Sequence, residues 1–70
     1  MYYVNRGAAY QKIDLLDNAY KDFSKALELN PDNRDALYGM GKTLYSMGKV
    51  HEAFPYFKKI GKSLYLVGVL

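Results

Sequence analysis

Apolar and small residues recur at intervals of three and four along most of the chain. Tyr3, Gly7, Tyr10 and Ile13 form one such series, and Leu16, Ala19, Phe23, Ala26 and Leu27 form another. With about 3.6 residues per turn, that spacing puts each series on one face of an α-helix. Polar and turn-forming residues interrupt the pattern at Asp14 to Asp17, at Asn30-Pro31-Asp32-Asn33 and at Met47-Gly48-Lys49. The result is an all-α expectation of four helices, near residues 2–13, 17–29, 34–46 and 51–62. Asn30 precedes a proline and is pushed out of the α region, which ends the second helix, while Asp32 or Asn33 can cap the third. Gly48 supplies the left-handed residue that a tight helix-helix turn needs. Asp14 holds the equivalent place in the first half and tolerates that conformation less well, so the first turn is expected to differ in shape.

The two halves repeat each other. A shift of 34 residues sets Gly7 on Gly41, Tyr10 on Leu44, Ile13 on Met47, Ala19 on Ala53, Tyr20 on Phe54 and Phe23 on Phe57. Small residues fall on small ones and large on large. Each copy is therefore a helical hairpin in which Gly7 or Gly41, with Ala19 or Ala53, lets two helices approach while Tyr10, Leu44, Phe23 and Phe57 fill the remaining space. A larger side chain at Gly41 is expected to wedge the second hairpin apart. The chain reads as one domain of residues 1–70, with a first repeat over 1–33, a second over 34–62 and an apolar extension over 63–70.

The period and pattern resemble the tetratricopeptide repeat, a 34-residue helix-turn-helix family. In the first copy Tyr3, Gly7, Tyr10, Ala19, Phe23, Ala26 and Pro31 fall on that family's characteristic positions, and Arg6 departs where Leu is usual. In the second copy Leu37, Met40, Gly41, Leu44, Gly48, Ala53 and Phe57 fit, whereas Ile60 and Tyr65 replace a small residue and the closing Pro. The resemblance implies a fragment of an α-solenoid that serves as a protein-protein interaction module or assembly scaffold. It also implies a peptide-binding groove on the first and third helices, carried here by Val4, Ala8, Gln11 and Lys12 and by Asp35, Tyr38, Lys42 and Tyr45. Some members clamp a peptide's terminal carboxylate with Lys and Asn, but Val4, Ala8 and Gly39 stand at those places, so that clamp is not expected.

Composition narrows the chemistry further. Seventy residues bury only about 60% of the surface of the unfolded chain, and with no Cys and one His, neither disulfides nor metal can brace the fold. A partner surface is the support that remains. Gly41-Lys42-Thr43 and Gly61-Lys62-Ser63 look like the end of a phosphate-binding loop, but Ala36 and Tyr56 stand where its first Gly is required. His51-Glu52 begins like a zinc-protease motif and meets Pro55 where the second His belongs. The acids Asp14, Asp17, Asp32 and Asp35 bracket turns and helix starts, where the helix dipole accounts for them. No enzyme, metal site or cofactor is expected.

The excess behind the net charge of +3 sits at Lys42, Lys49, Lys58, Lys59 and Lys62, where Glu52 is the only acid, and the last three lysines form one short cluster without arginine forks. A solvated face accounts for them better than nucleic acid does. Lack of Cys fits a reducing, cytoplasmic setting, and the apolar end from Leu64 to Leu70 is too short to span a bilayer, so no membrane partner is expected. Of the eight tyrosines, Tyr3, Tyr10 and Tyr20 take packing positions, whereas Tyr38 and Tyr45 share a separate stripe with Asp35 and Lys42. Aromatic anchors beside a lysine suit a peptide, and an ordinary solvated face is the alternative.

The apolar end needs a cover: folding back as a cap, a homodimer, or a missing neighbouring repeat. Ala53, Phe57, Ile60, Leu64 and Val67 keep helical spacing, which allows the fourth helix to run past Gly61. Self-association through residues 54–70, with Phe54, Phe57, Leu64, Tyr65 and Val67 at the seam, is the second functional expectation. Pro55 is compatible with this helix if the helix starts near Glu52, which would leave the proline in the first turn.

Overall fold

The computed structural model describes residues 2–69, with side chains described for residues 2–61. Four helices follow one another: α1 (Tyr2–Lys12), α2 (Leu16–Leu29), α3 (Arg34–Ser46) and α4 (Val50–Val69). Helices α1 and α2 form one antiparallel hairpin and α3 and α4 a second, and α3 stacks on both helices of the first.

The two hairpin turns are alike, contrary to the expectation from Asp14. Asp14 takes φ 66° and Gly48 φ 81°, both in the left-handed region. The same backbone bonds close both helices: Leu15 N–H donates to the Tyr10 carbonyl at 2.9 Å, and Lys49 N–H to the Leu44 carbonyl at 2.8 Å. These bonds occupy carbonyls that a helix end would otherwise leave unpaired. Aspartate is among the few non-glycine residues that adopt this conformation, so the geometry of the repeat prevails over the local preference.

Between the repeats, Asn30 is extended (φ −148°, ψ 93°) and its N–H donates to the Ala26 carbonyl. The cap of α3 is Asn33 rather than Asp32: its Oδ1 accepts from Ala36 N–H at 3.1 Å, a contact worth about 1 kcal/mol. Asp32 lies in a short turn instead, its N–H donating to Asn30 Oδ1 at 3.2 Å.

Helix α4 corrects one expectation and decides between two others. It begins at Val50, so Pro55 lies inside the helix and not in its first turn. The missing N–H frees the carbonyl of His51, an exposed residue whose carbonyl water can satisfy. The helix also continues past residue 62 to Val69, so the stretch read as an extension is its last turns. Gly61 costs about 1 kcal/mol in a helix, less than a sustained apolar period returns.

The core is built from Val4, Ala19, Phe23, Ala26, Ala36, Met40, Leu44 and Ala53, with Tyr3, Tyr10, Leu27, Met47 and Tyr56 packed against it. Alanines at the crossings bring the backbones close, and Phe23, 1% exposed, fills the space where α1, α2 and α3 meet. A Cβ built on Gly7 would lie 3.0 Å from the Phe23 ring, and one built on Gly39 would lie 2.3 Å from it. The ring is thus held between two glycines of different repeats. Gly41 does for Phe57 what Gly7 does for Phe23, with a Cβ distance of 2.9 Å. Two expected packing residues lie outside: Ile13 falls in the turn after α1 and is 66% exposed, and Tyr20 is 38% exposed on α2.

Arg6, the departure from the usual Leu, proves to be structural. Its Nε and Nη2 donate to Asp22 Oδ2 and Oδ1, both at 2.7 Å, and Nη1 donates to the Tyr2 hydroxyl. The guanidinium carbon stands 4.8 Å from the Tyr2 ring centre, with Tyr3 and Tyr10 at 5.9 and 5.8 Å. The Asp22 hydrogen bonds push the guanidinium pKa still higher than its ordinary value. This fork ties α1 to α2 and keeps the Asp22 carboxylate, almost fully buried, from standing unpaired.

Candidate functional site

A concavity of about 340 Å³ opens between α1 and α3. From α1, Val4, Ala8 and Gln11 repeat at four and three residues and present one stripe to it, joined by Asn5. From α3 come Asp35, Tyr38 and Lys42, again one stripe, with Gly39 beside Tyr38. Phe23 of α2 forms the floor. The absence of a side chain at Gly39 lets α3 come close enough to the Phe23 ring to form the opposite wall.

Six of the eight residues expected in the groove meet here. Val4 is only 8% exposed and belongs to the core as much as to the groove wall. Lys12 and Tyr45 are not among the lining residues. Both lie further toward the C-terminal ends of their helices and are exposed, Tyr45 to 63%. Three lining residues escaped the sequence reading: Asn5, Gly39 and Phe23. Asn5 was legible in principle, since it precedes Ala8 by three residues and Lys12 by seven. Gly39 was considered only as the residue in place of a clamp Asn, and the role of Phe23 as floor depends on how the repeats stack.

The walls differ in character along the groove. Asp35 and Lys42 are exposed, and neither forms an ion pair or side-chain hydrogen bond among the described residues. Tyr38 stands 52% exposed between them, leaning toward Phe57 with ring centres 6.1 Å apart. Gln11 Nε2 is buried without a hydrogen-bond partner among the described residues. A buried donor of this kind costs free energy until an acceptor arrives. No group of metal ligands occurs among the described residues, and no helix there is long and apolar enough to cross a membrane.

The residues expected at a self-association seam are divided. Phe54 is 64% exposed on α4, whereas Phe57, 37% exposed, is partly engaged by Gly41 and Tyr38 within the chain. Leu64, Tyr65 and Val67 fall on the last turns of α4, and their side chains lie outside the described residues.

Comparison with known proteins places this geometry. The tetratricopeptide repeat matches twice, over residues 1–33 and 35–60. The chain is similar to the UDP-N-acetylglucosamine--peptide N-acetylglucosaminyltransferase of Giardia intestinalis, 37% identical over 60 residues that make up 86% of this chain and 4% of that protein. It is also similar to the small glutamine-rich tetratricopeptide repeat-containing protein 2 of Saccharomyces cerevisiae, 33% identical over 60 residues, 86% of this chain and 17% of that protein. The chain thus spans less than a fifth of either relative, and what it shares with them is the repeat. Two hairpins in tandem, each matched by the same repeat, show that this chain belongs to the tetratricopeptide repeat family and is a protein-protein interaction module.

Proposed function

We propose that the chain binds a peptide segment of a protein partner in the groove between α1 and α3. The observation that carries this reading is the concavity itself. Residues from both helices converge on it over the Phe23 floor, and an aromatic, a cation and an anion line one wall. Tyr38 offers contact area at little cost in side-chain freedom, and Lys42 a charge without an ion-pair partner among the described residues, which together suit a peptide better than a small molecule. No catalytic residue or cofactor enters this reading, because nothing in the groove pairs a nucleophile with a base.

The test is a screen of immobilised peptides with the wild-type chain, followed by the variants Tyr38→Ala and Lys42→Glu. Both residues are exposed, so the fold should survive, as thermal melting would verify. Each variant should weaken the selected peptides about tenfold, the loss typical of a binding residue worth 1 to 2 kcal/mol. Unchanged binding in both would show that the groove is not the site.

A second reading is a structural one, in which the chain self-associates through residues 54–70. What favours it is the contrast between two equivalent rings: Phe23 is 1% exposed and Phe57 37%, with Phe54 beside it at 64%. The stacked face of the first repeat is covered by α3, and the same face of the second repeat is uncovered among the described residues.

A further inference from the structure

Asp35 and Lys42 stand on one stripe of α3, seven residues apart, and so about 10.5 Å apart along the helix axis. At that separation, in water, they scarcely neutralise each other, and both remain available to a ligand. The stretch between them is uncharged: Tyr38 and Gly39 on one side, Val4 and Ala8 on the other, Phe23 beneath. Polar groups that suit a peptide backbone stand on the α1 side, where Gln11 holds its buried, unpartnered Nε2 and Asn5 adds a second amide. The groove is therefore ordered as anion, short apolar stretch, cation, with amide donors along the opposite wall.

The amide of Gln11 selects the form of the ligand. A helix uses its backbone carbonyls in its own i to i−4 hydrogen bonds and leaves none free for the buried Gln11 Nε2, which has no partner among the described residues. An extended chain has free carbonyls to offer. In polyproline-II form residues i and i+3 point the same way and lie about 9.3 Å apart, close to the rise between Asp35 and Lys42 along α3. Resting on the reading of this groove as a peptide site, we infer that it selects an extended segment with a basic and an acidic side chain three residues apart and short apolar residues between them. The basic group pairs with Asp35, the acidic group with Lys42, and a backbone carbonyl accepts from Gln11 Nε2.

The experiment titrates the labelled chain with blocked peptides and follows the backbone amide signals of Ala8 and Gly39 by NMR. Three peptides share one frame: Lys-Ala-Pro-Glu, Glu-Ala-Pro-Glu and Lys-Ala-Pro-Lys. The mixed-charge peptide should bind about fivefold tighter than either like-charge peptide at low salt, the size expected of exposed ion pairs, and the difference should vanish near 1 M salt. In Asp35→Lys the ranking should reverse in favour of Glu-Ala-Pro-Glu. Equal affinities for all three peptides, or an unchanged ranking in Asp35→Lys, overturn the charge-order inference while leaving the groove as the site, because Ala8 and Gly39 still respond. Signals of Ala8 and Gly39 that stay still while other surfaces respond, or no response to any peptide, overturn the groove reading and the inference with it.

Discussion

A methyl group added to Gly39 would sit 2.3 Å from the Phe23 ring, and the ring cannot retreat, because Gly7 confines it from the other side. Gly39→Ala should therefore destabilise the chain despite alanine's better helix propensity, with overpacking of about 1 to 3 kcal/mol outweighing a gain of about 1 kcal/mol. Gly41→Ala meets Phe57, a ring 37% exposed that has room to swing, and should cost less. Urea denaturation of the two variants side by side checks the order; a Gly39→Ala protein as stable as wild type would mean that Phe23 is not pinned. At this scale the sequence is informative where a residue's partner lies within its own repeat. Gly7 and Gly41 stand out because the shift of 34 superposes them. Gly39 falls on Asn5 under the same shift, since its need to be small comes from the other repeat. Arg6 is visible only as a misfit until Asp22, sixteen residues away on another helix, accounts for it.

Elements follow the apolar period closely, and the differences lie at their ends. The turns at Asp14 and Gly48 share φ sign and hydrogen bonds although their residues differ. Asp14 thus carries a backbone cost that Gly48 avoids, and, contrary to the dipole account expected for it, it sets a negative charge beside the carbonyl end of α1, where the dipole disfavours it. Asp14→Gly should raise stability by about 0.5 to 1 kcal/mol, read from the urea midpoint at unchanged slope. A loss would mean that the carboxylate makes a compensating contact. Pro55 suggested a later start for α4 because an interior proline both crowds the carbonyl four residues back and leaves it without its N–H donor, and the second cost falls where water reaches that carbonyl. An exposed His51 meets that condition even five residues after the helix begins.

For the whole molecule, stacking of one hairpin on the next leaves equivalent surfaces in unequal states. The face of α2 that carries Phe23 is covered by α3, while the corresponding face of α4 shows Phe54 and Phe57. If that face is the seam of a dimer, Phe54→Ser should weaken self-association about tenfold or more, the worth of one buried phenyl ring, and leave the fold intact. Sedimentation equilibrium over a wide concentration range checks this, and a wild-type chain that stays monomeric at millimolar concentration would dispose of the second reading. Of the eight residues that the resemblance to the repeat family implied for a groove, Val4, Ala8, Gln11, Asp35, Tyr38 and Lys42 line the concavity between α1 and α3. Period does not say how far along each helix the other wall extends, which is why Lys12 and Tyr45 fall beyond it.

Phe23 is both the centre of the core and the floor of the groove, and this divides the site into two parts with different freedom to change. Any alteration of the floor alters the joint between the repeats, so the depth of the groove is fixed by the requirement that the chain fold. The rim is less constrained: Asn5, Asp35 and Lys42 are exposed and can be exchanged without disturbing the core, and Tyr38, also exposed, leans only on the partly exposed ring of Phe57. Related chains of this build should therefore diversify their ligands by rewriting the rim over a common base, and an engineered change of specificity is best begun there.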